Sequence, residues 1–291
     1  MAFSEHGNPF LTESTFSRAA MSEGTMTKAG TAKWLAVLIL LVAGAASIGW
    51  NKTMEVYGNF DFTTVHKVDS GRLDSDGDPI KERVVIDPVT GEQGPVPNFD
   101  FAPVASLLWL GMLGALVVAM VVIFKQNLAP ILAPLYAVLE GLALGVVSGM
   151  FQIEFDGIPL QAALISLSVM AAMYLLFTFG FVRSSSRVTT GVIGLMFGIL
   201  LVYLGDMALT AFTGHGLSIV SGNGPWALGF SVLVCLVATW NFVIDFDTIE
   251  QGLEYGAPKY MEAYAAFGVL LTLVWLYVEI LRLLAIWKSN D

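Results

Sequence analysis

Six polar side chains of this sequence lie within long apolar runs and could do chemistry inside a lipid bilayer. Insertion of an ionisable side chain at the centre of a bilayer costs about 2.5–3.5 kcal/mol of free energy on insertion scales. Such a side chain is therefore expected to have a structural or functional role. Such a group either hydrogen-bonds to a neighbouring helix or takes part in a polar pathway or proton relay. The residues are Glu140, Asn241, Asp245, Asp247, Glu279 and Arg282.

Glu140 is the clearest of these residues because it lies twelve residues after Leu128. At 1.5 Å per residue this separation is roughly 18 Å, which places Glu140 near the middle of the bilayer. Two hypotheses stay open, a protonated Glu140 that hydrogen-bonds to another helix and an acid in a polar pathway. Glycines follow at intervals of four and predict close helix packing; they are Gly141, Gly145 and Gly149.

The other candidates lie on the last two predicted helices. The sixth helix ends in WNFVIDFDTIEQG, which places Asn241 inside the membrane and Asp245 and Asp247 near the cytoplasmic surface. The two aspartates there are either a hydrated helix end or a functional site. Glu279 and Arg282 are three residues apart on the last helix. They therefore share a face and predict a local ion pair.

Enzymatic chemistry finds little support in the sequence. An intramembrane serine would need a buried base, but all the histidines fall in the tail or in loops: His6, His66 and His215. Asp206 and Asp247 weakly resemble the two acids of an intramembrane aspartyl protease. Tyr203, however, replaces the first glycine of the Gly-x-Gly-Asp motif of those proteases, and Asp206 is expected at the outer interface. Metalloprotease, phosphate-loop and nucleophile-elbow motifs do not occur. The sequence predicts no enzymatic activity, no cofactor and no metal centre.

The composition of the chain requires lipid as its solvent. Its 291 residues are 56% hydrophobic and only 13% charged, with a mean hydropathy of +0.72, whereas soluble domains are about 25% charged. Seven runs near twenty residues are apolar enough to cross a bilayer as helices, so the predicted fold is an all-α membrane protein with seven transmembrane helices. The runs span residues 32–50, 101–124, 128–151, 158–182, 188–212, 226–246 and 263–287.

The positions of lysine and arginine predict the orientation of the bundle. The tail and alternate loops carry Arg18, Lys28, Lys33, Lys125, Arg183, Arg187 and Lys259, whereas the third and fifth loops carry none. Residues 1–31 are therefore expected to be a cytoplasmic tail and residues 51–100 an outer loop, followed by six helices over 101–287 and a short tail over 288–291. Seven membrane crossings place the carboxyl terminus outside, whereas Arg282 and Lys288 favour a cytoplasmic carboxyl terminus. A last helix that re-enters the membrane without crossing it is therefore an alternative.

The outer loop concentrates the acidic residues of the chain. Residues 51–100 hold ten acids against five Lys or Arg, within a net charge of −10. The negative balance therefore describes this loop, and no basic surface for nucleic acid is present. Turn-forming pairs around the short run 83–86 are consistent with a small β-hairpin.

Three aspartates of the outer loop have the alternate spacing with which a calcium-binding loop begins: Asp74, Asp76 and Asp78. Pro79 occupies the position of the required glycine, and Val85 that of the bidentate glutamate. A solvated turn is therefore predicted, with weak cation binding as the alternative.

Two stretches of the sequence resemble the Bax inhibitor-1/YccA-like family of small seven-helix membrane proteins. WNFVIDFDTIEQGLEYGAPKYMEAYAAF is similar to the family's Phe-Asp-Thr ending of helix six, and LLTLVWLYVEILRLLAIW is similar to its terminal helix. FKQNLAPILAPLYAVLEGLALG resembles one bacterial branch of the family. The resemblance implies a bundle around a central last helix, in a bacterial plasma membrane.

The same resemblance implies a function and its residues. Characterised relatives form a pH-sensitive leak for calcium or other cations, and some relatives instead bind and restrain a membrane protease. In leak-forming relatives an aspartate at the end of helix six pairs with an acid on helix seven. The first carries over to Asp247, with Asp245 as the alternative, and Thr272 stands at the second position. The expected function is such a leak or its regulator; the alternative is a non-conducting protein that modulates a membrane protease or another membrane complex.

Overall fold

Seven long helices make up most of the protein in its computed structural model, which describes residues 24–57, 65–73, 79–86, 92–95, 102–222 and 224–290. All seven are long and apolar enough to cross a membrane. The helices are α1 Lys28–Tyr57, α2 Ala102–Phe124, α3 Ala129–Glu154, α4 Ile158–Thr178, α5 Ser186–Thr213, α6 Pro225–Glu254 and α7 Met261–Asn290. The predicted seven-helix fold is therefore confirmed.

The last helix is the centre of the bundle, as expected from the family resemblance. Sixteen of the 30 residues of α7 are buried, whereas α5 buries only Val192 and Ile199 among its 28 residues. Helix α7 packs against α1, α3, α4 and α6. A side chain on almost any face of α7 therefore contacts another helix, and the membrane-facing surface is supplied by the surrounding helices.

The ends of α4 and α6 differ from the apolar runs in the sequence in opposite directions. Helix α4 ends at Thr178, and Gly180 follows with φ of +76°, a conformation that glycine adopts without steric cost. The amide of Phe181 then bonds to the carbonyl of Leu176 at 3.0 Å, which closes the helix. Helix α6 instead continues to Glu254, nine residues beyond Asp245. Asp245 therefore lies roughly 13 Å from the end of its helix rather than beside it.

Helices α1 and α3 approach each other closely along the predicted glycine stripe. A Cβ atom on Gly145 would lie 2.0 Å from the carbonyl oxygen of Ala46, and one on Gly141 would lie 2.5 Å from that of Val42. On Gly149 it would meet the side chain of Thr53 at 2.8 Å. The stripe therefore lets the two backbones touch, and the packing role that its spacing predicts is confirmed.

The segment between α1 and α2 contains three strands: β1 Val65–Leu73, β2 Pro79–Ile86 and β3 Gln93–Pro95. They pair antiparallel in the order β1-β2-β3, with Val65 opposite Val85 and Val85 opposite Gly94. The described residues thus form a three-stranded sheet rather than a hairpin alone, because β3 pairs with the free edge of β2. Asp74, Asp76 and Asp78 lie outside the described residues.

Short connections complete the bundle. A 3₁₀ turn at Gln126–Leu128 joins α2 to α3, and a one-turn helix at Ser218–Ser221 lies between α5 and α6. The starts of α1, α3, α5 and α7 share one end of the bundle with the ends of α2, α4 and α6, since consecutive helices are antiparallel. We call this end the basic face because it carries the basic connections that contain Lys125, Arg183 and Lys259.

Candidate functional site

An inner cluster of three polar side chains joins α6 to α7. The hydroxyl of Thr272 donates to Oδ2 of Asp245 at 2.6 Å, and Nδ2 of Asn241 donates to Oγ1 of Thr272 at 2.7 Å. Asn241 and Asp245 are four residues apart and therefore share a face of α6. The cluster is a carboxylate, a hydroxyl and an amide linked across two helices inside an apolar bundle.

A small inner cavity lies beside this cluster, toward the basic face. It has a volume of about 110 Å³ and is lined by Met26, Asp245, Gly252, Met261 and Gly268, among others. A water molecule occupies about 30 Å³ in the liquid, so the cavity has room for only a few water molecules. Asp245 thus combines a hydrogen bond to α7 with a position on a small cavity that is otherwise lined mainly by apolar side chains.

The segment immediately before α1 contributes Met26 to the lining of the inner cavity. Met26 is only 6% exposed, although it precedes the first membrane helix. Its amide donates to the carbonyl of Ala257 at 2.7 Å, and the amide of Lys259 donates to the carbonyl of Gly24 at 3.1 Å. These bonds attach the segment to the connection between α6 and α7, so Met26 is held in the wall of the cavity near the basic face.

Glu262 fastens the same segment from α7. Its Oε1 accepts from the amide of Thr27 at 3.0 Å and from the hydroxyl of Thr27 at 2.8 Å. The Thr27 hydroxyl also accepts from the amide of Gly30 at 2.9 Å, which caps α1. A carboxylate at a helix N-terminus is favoured by the helix dipole, so Glu262, although only 3% exposed, is compensated where it lies.

Asp247 occupies a different face of α6. Its Oδ2 accepts from Nε2 of Gln251 at 2.8 Å, one turn further along the same helix. Residues two apart on a helix point roughly 200° away from each other, so Asp245 and Asp247 cannot both face α7. Of the two aspartates considered from the sequence, the structure brings Asp245 to Thr272 and leaves Asp247 on a partly exposed surface near Arg183.

An outer cluster surrounds the other acid of α7. Glu279 is 3% exposed and accepts from Tyr203 at 2.7 Å, from Ser231 at 2.9 Å and from Arg282 at 3.1 Å. The ion pair expected from the spacing of Glu279 and Arg282 is therefore present. The hydroxyls of Tyr203 on α5 and Ser231 on α6 add two hydrogen bonds to the carboxylate, so that both of its oxygens have a donor, as a buried charge requires.

Arg282 also holds the connection between α5 and α6. Its Nη2 donates to the carbonyl oxygens of Val220 at 2.5 Å and Ile219 at 3.3 Å. Asp206 holds the same connection from α5, since its Oδ1 accepts from the amide of Leu217 at 2.6 Å and from Ser221 at 3.0 Å. The one-turn helix is thus tied to two membrane helices at the end of the bundle opposite the basic face.

Asp206 and Asp247 are not brought together by the fold. Asp206 contacts the connection that precedes α6, whereas Asp247 lies 22 residues after Pro225, the first residue of that helix. At 1.5 Å per residue this separation is roughly 33 Å along α6. The shared-proton arrangement of an aspartyl protease is therefore absent from this pair.

Glu140 lies on α3, away from both clusters. It makes no hydrogen bond or ion pair with any residue that the structure describes. One turn before it, Tyr136 packs edge-on against Phe267 of α7 with ring centroids 5.0 Å apart, and two turns after it, Ser148 lies 2.6 Å from the hydroxyl of Tyr277. Residues spaced by four share a face, so Glu140 lies on the face that α3 turns toward α7.

An apolar barrier separates the two clusters on α6 and α7. Between Asn241 and Ser231 the same face of α6 carries Ala238 and Val234, and α7 carries Leu276 between Thr272 and Glu279; all three barrier residues are almost completely buried. Thr272 and Glu279 are seven residues apart, roughly 10 Å along the helix. The interface therefore has a polar site on each side of a short closed section.

Several residues of these clusters escaped the sequence reasoning. Tyr203 and Ser231 have ordinary identities for membrane helices, and nothing in their local sequence indicates that they contact an acid on α7. Glu262 carries a usable signal, since it is an acid in the first turn of a helix, where a partner is expected. Its partner Thr27 is 235 positions away in the chain, so only the fold identifies the pair.

The described residues contain no group of three or more His, Cys, Asp or Glu side chains that could hold a metal ion. A protein-family model described as Bax inhibitor 1 like matches residues 8–289, almost the whole chain. No curated protein matches the sequence, and no solved structure matches it.

Proposed function

Since the chain belongs to the Bax inhibitor 1 like family, we propose that it is a pH-sensitive leak for calcium or another cation. The observation that carries the proposal is the Asp245 carboxylate, which lines the inner cavity and accepts a 2.6 Å hydrogen bond from Thr272. Oxygen ligands of this kind suit calcium. Asp245 would thus attract the cation and also hold α6 against α7.

In the proposed mechanism the bundle as described is closed. Cations would enter from the basic face through the inner cavity, once Met26 moves aside, and would leave past the outer cluster. The barrier formed by Val234, Ala238 and Leu276 blocks this route while α6 and α7 stay in contact. Glu140 offers a further carboxylate on the face of α3 toward α7, as a pathway acid.

Protonation of Asp245 would favour the open state. A hydrogen bond to a carboxylate is roughly twice as strong as one to a neutral acceptor, so loss of the charge weakens the contact with Thr272. The contact between α6 and α7 then becomes weaker, and the apolar residues of the barrier can separate. Leak should therefore rise as the solution at the basic face becomes more acidic.

The test is calcium flux into dye-loaded liposomes that contain the purified protein, measured across about pH 5 to 8, the range in which a perturbed carboxyl group reveals itself. Asp245→Asn should raise the leak and flatten its pH dependence, because residue 245 then carries no charge at any pH. Asp247→Asn is the matched control, since Asp247 bonds only to Gln251 on its own helix among the described residues. It should behave as the wild type does.

A second pair of variants tests the hydrogen bond itself. Thr272→Val removes the hydroxyl that links Asn241 and Asp245, whereas Thr272→Ser keeps it. Two hydrogen bonds worth about 1 kcal/mol each correspond to roughly a tenfold or larger rise in leak for the valine variant. Liposomes that stay equally tight with the wild type and all four variants at every pH would refute the leak. A non-conducting protein that modulates a membrane protease would then be the better proposal.

A further inference from the structure

A membrane groove runs between α1, α4 and α6 on the side of the bundle and is separate from both polar clusters. Its volume is about 480 Å³, and its lining includes Leu35, Ile39, Met170, Tyr174, Phe177 and Phe246. This volume lies within the range of roughly 300–1,000 Å³ that is typical of ligand sites. Val269 of the central helix, which has no exposed surface, closes the floor.

The length of the groove matches one leaflet of a bilayer. Along α1 its lining runs from Lys28 to Ile39, eleven residues or roughly 16 Å. The hydrocarbon core of a bilayer is about 30 Å thick, so one leaflet contributes about half of that. An occupant that enters from the basic face would therefore reach the middle of the membrane with an apolar chain.

The end of the groove at the basic face carries an excess of positive charge. Lys28 and Arg183 both line it, together with one acid, Glu250. Arg183 forms an ion pair with Glu250, and its guanidinium lies 4.6 Å from the centre of the Phe177 ring. Lys28 has no ion pair with any described residue. The three groups leave a net charge of +1, which complements an anion.

We propose that this groove binds an anionic phospholipid of the adjacent leaflet, with one acyl chain along α1 and the phosphate held by Lys28 and Arg183. Arginine and lysine are the side chains that bind phosphate in proteins, and the snorkelling reach of Lys28 lets its ammonium group stay at the headgroup level. Lipids that merely surround the bundle would respond equally to Lys28 and to Lys33, which is exposed outside the groove. Selectivity for the anionic headgroup therefore distinguishes a built site from ordinary lipid contact.

Native mass spectrometry of the full-length protein tests the proposal, with equal amounts of phosphatidylglycerol and phosphatidylcholine of different mass added in detergent. The wild type should retain one phosphatidylglycerol in preference to phosphatidylcholine. Lys28→Gln should lower this preference about fivefold, since each basic side chain near the headgroups favours an anionic lipid by about that factor. Lys33→Gln is the matched control, because Lys33 is exposed on the same helix outside the groove.

A second pair of variants tests the acyl chain site without changing charge. Ala36 lines the groove, so Ala36→Trp should displace both lipids, whereas Val37→Trp, on the neighbouring exposed surface, should leave binding unchanged. Equal retention of the two lipids by the wild type would overturn the proposal, as would equal effects of Lys28→Gln and Lys33→Gln, or lipid binding that survives Ala36→Trp.

Occupation of the membrane groove by a second copy of the chain, or by residues 1–23, would give distinct results in the same samples. A dimer mass that Ala36→Trp abolishes would assign the groove to a second copy of the chain. Protection of Arg18 from trypsin in the wild type and its loss in Ala36→Trp would assign the groove to residues 1–23. Either result, without selective phosphatidylglycerol binding, would overturn the proposal.

Discussion

At the scale of single residues, the two acids that are almost completely buried in the described part of the chain are both matched by groups from other segments. Glu262 accepts two hydrogen bonds from Thr27, and Glu279 accepts from Tyr203, Ser231 and Arg282. A buried ion pair contributes little net stability relative to apolar residues, but the loss of one partner leaves an uncompensated charge. The clusters therefore fix which helices meet, and they make single substitutions costly.

Glu279→Gln should destabilise the protein strongly. Tyr203 and Ser231 donate to different oxygens of the carboxylate, so the amide keeps an acceptor for only one of them. It also leaves the charge of Arg282 without its partner, and breaking a buried pair costs about 3–5 kcal/mol. We expect the midpoint of thermal unfolding in detergent to fall by roughly 10 °C. Glu55→Gln is the matched control, because the Lys52–Glu55 pair is exposed, with the Glu55 side chain 68% accessible against 4% for Glu279.

The comparison between these two variants decides the role of the outer cluster. Exposed pairs contribute little, so Glu55→Gln should leave the unfolding midpoint almost unchanged. Removal of both charges by Glu279→Gln with Arg282→Gln should cost less than the two single losses added together, since neither charge is then left alone. Equal midpoints for Glu279→Gln and Glu55→Gln would contradict a buried, coupled pair.

At the scale of helices, the closest packing in the protein is between α1 and α3. Lipid tails are as apolar as leucine, so helices in a membrane associate through close packing rather than through the hydrophobic effect. The glycines at 141, 145 and 149 supply this packing, because the first two bring backbone atoms of α1 within contact distance and the third admits the side chain of Thr53. Helix α5 is packed less closely at Gly198, where a Cβ atom would meet no described atom outside its own helix within 4 Å.

Gly145→Ala should destabilise the contact between α1 and α3. The added methyl group would lie 2.0 Å from the carbonyl oxygen of Ala46, so the helices must move apart. Overpacking of this kind costs about 1–3 kcal/mol. Gly198→Ala is the control within a helix, since no atom outside its own helix lies within 4 Å of its added methyl group. It should stabilise the protein slightly, by up to about 1 kcal/mol.

Thermal unfolding of both variants under identical detergent conditions measures the difference. The unfolding midpoint of Gly145→Ala should lie below that of the wild type, and that of Gly198→Ala at or above it. A rise of the midpoint in Gly145→Ala as well as in Gly198→Ala would contradict the close approach of α1 and α3, because helix propensity alone would then explain both results.

At the scale of the whole molecule, the charges of the connections divide the bundle into two faces. Lys125, Arg183 and Lys259 lie in connections at the basic face, where the inner cavity and the charged end of the membrane groove also lie. The connection between α5 and α6 at the opposite face carries no Lys or Arg. Basic loops stay in the cytoplasm in most membrane proteins, so both proposed sites would face the cytoplasm.

Cysteine labelling tests this orientation. In a Cys235→Ala background, Ser185→Cys should react with a membrane-impermeant maleimide only after the membrane is opened, because it lies at the basic face. Ser75→Cys, in the acidic segment between α1 and α2, should react in intact cells. Reaction of both cysteines from the same side would contradict an odd number of membrane crossings between the two positions.

The sequence by itself determined the helices and their number, because the need to satisfy every backbone hydrogen bond in lipid turns a run of about twenty apolar residues into a helix. It also determined the glycine stripe and the pairing of Glu279 with Arg282, since both depend only on the spacing of residues along one helix. The match over residues 8–289 shows that the family resemblance was correct as well.

Only the tertiary structure decided which polar groups meet. Asp245 and Asp247 lie only two residues apart in the sequence, and the rotation of α6 about its axis selects Asp245 as the partner of Thr272. That rotation depends on the packing of α6 against α4, α5 and α7. Likewise, Glu262 reaches Thr27 and Glu279 reaches Tyr203 through contacts between segments that are distant in the chain. A helix that is apolar on every face carries no periodic signal for its orientation, so packing alone determines its polar partners.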